Sequence, residues 1–298
     1  MIKLMDYMIY IALVVFGLLL GSFAGAQVWR LRARQLIADK KAGEKVDAKE
    51  YKQLIPLVGR GIKSDRSQCL HCGHVLSWFD LLPLVSWMST RGNCRYCKES
   101  IGWFEPIMEA SVALVFVLSY VLWPMPLEGW IDWSVFVLWL AIVVGMAILF
   151  AYDKKWFLLP DRVVFPSMAL AMVMAGLRIA NESDIQGALF SLAGAAIILS
   201  GLYFMLWVGS KGRWIGFGDV KLGLVLAFIL IDWRLAFIAL FAANLVGCIL
   251  VIPGMVRGKL SRDAHIPFGP LLIIGATIAF FVGGPLVEWY SELVYMGL

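Results

Sequence analysis

The sequence predicts an all-α polytopic membrane protein of about eight transmembrane helices, with a small cytoplasmic zinc-binding domain after the first helix. Three observations carry that prediction. Hydrophobic residues make up 61% of the chain and charged residues only 16%, and the mean hydropathy of +0.82 is far from that of a water-soluble domain. Roughly eight windows are long enough for the ~20 apolar residues that cross a hydrocarbon core. Basic residues collect in alternate loops between those windows.

The first window, about 7–28, ends in Gly21-Ser22-Phe23-Ala24-Gly25-Ala26. Small residues there would suit a cleavage site, but the run is long, and Arg30, Arg32 and Arg34 follow it rather than precede it. It reads as a retained anchor with its N-terminus outside and its C-terminus in the cytoplasm. Residues 30–103 form the one long polar segment, with fourteen Lys/Arg against seven Asp/Glu, a balance suited to anionic lipid headgroups. Acids interleave with the bases and no aromatic platform accompanies them, so no nucleic-acid partner is expected.

Cys69-x-x-Cys72 and Cys94-x-x-Cys97, separated by 21 residues, have the spacing of a structural zinc site. A cytoplasmic position disfavours disulfides, and no βαβ pattern supports a redox role. His71 and His74 read as surface residues of the first knuckle, and Cys248 as helix packing. Between the pairs, Trp78–Trp87 is too short to span; it suits either a small core or a segment pressed on the membrane surface.

The remaining windows fall near 107–123, 130–152, 163–179, 185–208, 220–231, 235–255 and 267–289. One set of loops holds Lys154, Lys155, Arg162, Lys211, Arg213, Lys221, Arg257, Lys259 and Arg262; the opposite set holds Glu128, Asp132, Glu182, Asp184 and Asp232, with Arg178 and Arg234. This alternation places both termini outside the cytoplasm. Gly187, Gly194, Ala195, Gly283 and Gly284 read as helix-packing positions.

Two acids then fall at the same membrane edge. Asp153 closes the third window, and Asp219, in Gly216-Phe217-Gly218-Asp219-Val220-Lys221, opens the sixth. Ionisable groups at such depth are functional candidates. Two carboxyls sharing one proton can activate water against an amide. Gly216 and Gly218 would admit close approach of a strand-like substrate. The plainer alternative is that each acid pairs with Lys154, Lys155 or Lys221. Asp161, after Pro160, is expected to cap its helix. His265 is expected to face water at a helix start.

Taken together, these residues resemble the type 4 prepilin leader peptidases, membrane aspartyl proteases with a GxGD motif. The likeness rests on Gly21-Ser22-Phe23, both Cys pairs, Asp80-Leu-Leu-Pro83-Leu-Val-Ser-Trp87, Arg91-Gly-Asn-Cys94-Arg and Glu109. It continues through Asp153, Leu159-Pro160-Asp161, Gly216–Leu222 and Pro267-Phe268-Gly269-Pro270. The resemblance implies Asp153 and Asp219 as catalytic acids, Cys69, Cys72, Cys94 and Cys97 as zinc ligands, and Gly216, Gly218, Lys221, Asp161 and Glu109 as supporting residues. It further implies a prepilin or pseudopilin substrate cut on the cytoplasmic side of the bacterial inner membrane, and N-methylation of the new terminus with S-adenosylmethionine. Domains are expected at 1–30 (first helix), 31–103 (the four-cysteine domain) and 104–298 (protease). Leu70 stands where the first pair usually has proline, and Trp103-Phe104-Glu105-Pro106 replaces an Arg-Tyr-Pro. A transporter or channel with a metal-binding domain, and a non-catalytic pilus or secretion scaffold, are the competing classes. The acids' position away from the midplane and the absence of an internal repeat argue against the first.

Overall fold

A computed structural model of the protein describes residues 2–58, 66–258 and 266–295. His265, Lys259 and Arg262 lie outside the described residues. The chain divides into two compact units, Met1–Tyr120 and Val121–Leu298.

In the first unit, α1 (Ile2–Lys41) is one continuous helix of 40 residues. At about 1.5 Å per residue it is about 60 Å long, twice the hydrocarbon thickness. Its basic end therefore continues as helix well past the apolar window. There Ala33 and Leu36 bury against Leu54 of α2 (Ala48–Leu54) and Leu57, and Arg32 makes a two-pronged ion pair with Glu50. Asp47 caps α2 by accepting the Lys49 and Glu50 N–H groups. A short 3₁₀ turn at Trp78–Leu81, then α3 (Val85–Ser89), separate the two Cys pairs. Trp87 packs at 4.4 Å on Trp103 and donates to the Gly102 carbonyl, whereas Trp78, Val85 and Met88 are exposed.

The helix α4 (Phe104–Val121) packs on α1 along a stripe of small residues. A Cβ on Gly17 would lie 2.5 Å from the Ala113 Cα, and one on Gly21 would lie 2.7 Å from the Glu109 Cα. With Gly25 these glycines recur every fourth residue, the spacing that lets two helix backbones touch in a bilayer.

The second unit is a bundle: α5 (Trp130–Trp156), α6 (Asp161–Ala180), α7 (Ile185–Ala196), α8 (Leu202–Ser210), α9 (Phe217–Leu230), α10 (Trp233–Val256) and α11 (Phe268–Tyr295). A π turn at Ile197–Gly201 joins α7 to α8 in one rod. Among the described residues seven helices are long and apolar enough to cross a membrane. The eighth window is α9, of 14 residues, about 21 Å long. It lies inside the bundle, with Leu222, Val225, Leu226, Ala227, Ile229 and Leu230 almost fully buried, so it is surrounded mainly by protein. Its last turn is held by Arg178, whose guanidinium donates to the Ile229 carbonyl at 2.6 Å. Gly194 and Gly283 pack as expected, against Trp233 and Leu235. Gly187 does not: a Cβ there would meet Asp184, which caps α7 by accepting the Gly187 N–H. Gly284 faces open space.

Candidate active site and metal centre

Asp153 is the last acid of α5 and is 5% exposed. Its Oδ2 accepts the backbone N–H of Gly269 at 3.1 Å, across 116 residues of sequence. Gly269 sits in the first turn of α11, where helix N–H groups lack intrahelical partners. Asp219 occupies the first turn of α9, half-buried, with Gly216 at the N-cap. Each acid thus faces the start of a helix, whose free N–H groups and dipole accommodate the single negative charge a proton-sharing pair would carry.

The two acids are brought together. One side chain touches the surroundings of both, and the two carboxyls lie within electrostatic reach of each other. Leu159 lies 3.0 Å from where a Cβ on Gly218 would sit and 3.5 Å from where one on Gly269 would sit. Gly218 is therefore needed for the approach of Leu159, and Gly269 for that of Asp153, whose Oδ2 lies 2.7 Å from the same hypothetical Cβ. Gly216 is less constrained: a Cβ there meets only Asp219 Oδ2 at 3.8 Å and Gly218 N at 3.9 Å, an ordinary van der Waals distance.

The plainer pairing with Lys221 does not occur. Lys221 forms an ion pair with Asp161 and lies over the Phe165 and Phe217 rings. This corrects the expectation for Asp161. Pro160 takes the N-cap position of α6, Asp161 falls one residue inside it without a capping bond, and its carboxylate ties α6 to α9 instead. Cys248 lies exposed on the outer face of α10.

In the first unit the Cys69, Cys72, Cys94 and Cys97 sulfurs all lie within 4.8 Å of one another. Around a divalent ion at about 2.3 Å, tetrahedral sulfurs stand about 3.8 Å apart, and Cys69 and Cys97 are already at 3.9 Å. The cluster can hold a metal ion and is compatible with zinc. Two matching knuckles build it. Cys69 N–H donates to the His74 carbonyl and Cys94 N–H to that of Glu99. Gly73 (φ 70°) and Lys98 (φ 62°) take the left-handed turn after each pair. Burial pushes the Cys69 thiol up to about 12. Burial acts on Cys94 too, but the N–H groups of Cys97 and Tyr96 outweigh it and bring that thiol down to about 7. His74 stacks on Tyr96 instead of joining the sulfurs. Leu70, in place of the usual proline, packs on the Leu36–Leu54 cluster and so anchors its knuckle.

Two residues of the resemblance acquire roles here. Asp80 accepts Arg95 Nε at 3.0 Å, Tyr96 Oη at 2.9 Å and Ser77 N–H at 3.2 Å, binding the segment between the Cys pairs to the second knuckle. Glu109, 7% exposed, accepts the Leu84 N–H at 2.8 Å, holding a residue at φ 56°. Beside it lies a cavity of about 220 Å³ whose walls include Ser22, Trp29, Trp87, Tyr96, Glu105 and Glu109.

A helical multi-pass protein that apposes a glycine-flanked acid to a second acid at the ends of its helices has the build of a membrane-embedded aspartyl protease. Similarity to known proteins narrows this. Residues 15–123 match the Bacterial Peptidase A24 N-terminal domain and residues 135–252 the Type IV leader peptidase family. The chain is 30% identical to the prepilin leader peptidase/N-methyltransferase of Aeromonas hydrophila, over 95% of this chain and 94% of that one. It is 27% identical to that of Pseudomonas aeruginosa (94% and 92%) and 30% identical to that of Xanthomonas campestris pv. campestris (92% and 91%). The chain belongs to the prepilin leader peptidase/N-methyltransferase family. No solved structure matches it.

Proposed function

We propose that the protein cleaves the leader peptide of type 4 prepilins or pseudopilins at the cytoplasmic face of the bacterial inner membrane. The observation that carries this is the meeting of Asp153 and Asp219 around Leu159, within the bundle. One carboxylate takes a proton from water as it attacks the scissile carbonyl carbon. The other carboxyl donates a hydrogen bond to the carbonyl oxygen, and protons pass to the departing amine as the C–N bond breaks. No covalent intermediate is required. Lys154 and Lys155 beside Asp153, and Lys221 beside Asp219, support a cytoplasmic position for the pair, with both termini outside.

A second activity, N-methylation of the new terminus, is favoured by the cavity in the first unit. Its carboxyls, Glu105 and Glu109, and its aromatic faces suit a cationic sulfonium or amine. Its volume lies below the roughly 300–1,000 Å³ of common small-molecule sites, so it fits part of S-adenosylmethionine. That cofactor would supply an electrophilic methyl group; Trp29 and Glu105, joined by a 3.1 Å hydrogen bond, would help hold its charge.

Incubating the purified protein with a prepilin and weighing the product by mass spectrometry tests both activities. Loss of the leader is expected, with added methyl when S-adenosylmethionine is supplied. An uncut prepilin would refute the peptidase, and ion flux in liposomes without cleavage would favour a transporter. For the four cysteines we propose structural zinc. Elemental analysis is expected to find about one zinc per chain, and Cys94→Ser to reduce it at least about tenfold. Full zinc content in that variant would reject the site.

A further inference from the structure

We propose that Tyr203 is a third group of the peptidase centre, its phenol donating a hydrogen bond to the scissile carbonyl oxygen of bound substrate; the proposal rests on the aspartyl-protease reading of Asp153 and Asp219. Four observations converge on it. The Tyr203 side chain is 3% exposed, although Leu202, Phe204 and Met205 around it in sequence are 39%, 47% and 69% exposed. Its hydroxyl is buried and has no hydrogen-bond partner among the described residues. Buried phenols ordinarily find one. The ring packs at 5.4 Å on Phe268, the residue before the glycine whose N–H holds Asp153. It also lies within electrostatic reach of Asp219.

The helix geometry explains why this residue faces inward. The π turn Ile197–Gly201 immediately precedes α8, and such wide turns shift the phase of the helix beyond them. The turn is seated on α9 just beyond Asp219. Ser200 Oγ donates to the Val220 carbonyl at 2.9 Å, and a Cβ on Gly223 would lie 1.9 Å from the Leu199 carbonyl oxygen. The sequence thus commits a hydroxyl and a glycine to fixing the phase that turns Tyr203 toward the acids.

The chemistry gives the phenol a task. Two carboxyls sharing a proton must serve the attacking water, the carbonyl oxygen and the departing amine. A second, neutral donor to the carbonyl oxygen supplements the carboxyl there as that proton moves to the amine, without placing a further charge beside the acids. A phenol, with an ordinary pKa near 10, stays protonated through the working range. Leu159 packs against both Gly218 and Gly269 beside these groups.

The test is steady-state cleavage of a prepilin by the full-length protein in detergent, comparing wild type, Tyr203→Phe and Asp219→Asn, with thermal unfolding of each. Tyr203→Phe keeps the ring on Phe268, so an unchanged unfolding midpoint is expected. Its kcat is expected to fall about 100- to 1,000-fold, the order seen when one oxyanion donor is removed, with KM within about twofold. The limbs of its pH profile should stay in place, because the phenol transfers no proton. Wild-type kcat in Tyr203→Phe would overturn the proposal and leave the dyad intact. So would a fall in kcat matched by a fall in unfolding midpoint. Full activity in Asp219→Asn would overturn the dyad reading, and this proposal with it.

Discussion

Asp219→Asn is expected to reduce leader cleavage by at least about 1,000-fold, and Asp153→Asn by a similar factor. Asparagine keeps the size of the side chain but can neither take a proton from water nor carry the pair's shared charge. At Asp153 the substitution also sets an amide beside the Gly269 N–H. The carbonyl oxygen of the new side chain can still accept that hydrogen bond, so the fold should survive and the loss should fall on kcat. Because the two carboxyls work on one proton, the double variant should be no worse than either single one. Pulse-labelled prepilin, resolved by size in membranes carrying each variant at equal abundance, measures this. Processing at the normal rate by either variant would remove that residue from the mechanism.

Gly269→Ala is expected to cost on the order of 100-fold in kcat without touching an ionisable group. The added methyl would stand 2.7 Å from Asp153 Oδ2, closer than carbon and oxygen tolerate. Either the carboxylate or the first turn of α11 must move. Displacements of about an ångström in a catalytic group cost about that factor. Gly284→Ala, on the same helix but facing open space, is the matched control and should cleave like wild type. Equal activity in both variants would show that the close approach at Gly269 does not set the position of Asp153.

Much of the architecture was legible one residue at a time. Apolar windows of spanning length became helices because a lipid-facing backbone must satisfy its own hydrogen bonds. The Cys spacing located four sulfurs that the structure gathers, since a C-x-x-C turn brings its own ligands together locally. Asp153 and Asp219 stood out because acids are costly in so apolar a chain. The stripe at Gly17, Gly21 and Gly25 also carries a sequence signal, small residues at every fourth position. Its central member belongs to Gly21-Ser22-Phe23 as well, and that motif hides the period. The pairing of Lys221 with Asp161 has no such signal. It joins residues 60 apart and depends on how α6 lies on α9.

What the sequence determined by itself was therefore everything local: which segments are apolar enough for a membrane, which cysteines form a set, and which acids merit a function. Only the tertiary structure decided that Gly269 holds Asp153, that Leu159 touches the surroundings of both acids, and that Tyr203 turns inward. Those relations are fixed by the phase and approach of packed helices. A glycine that lets two backbones touch, or a turn one residue too wide, changes them while leaving hydropathy and motif spacing almost untouched.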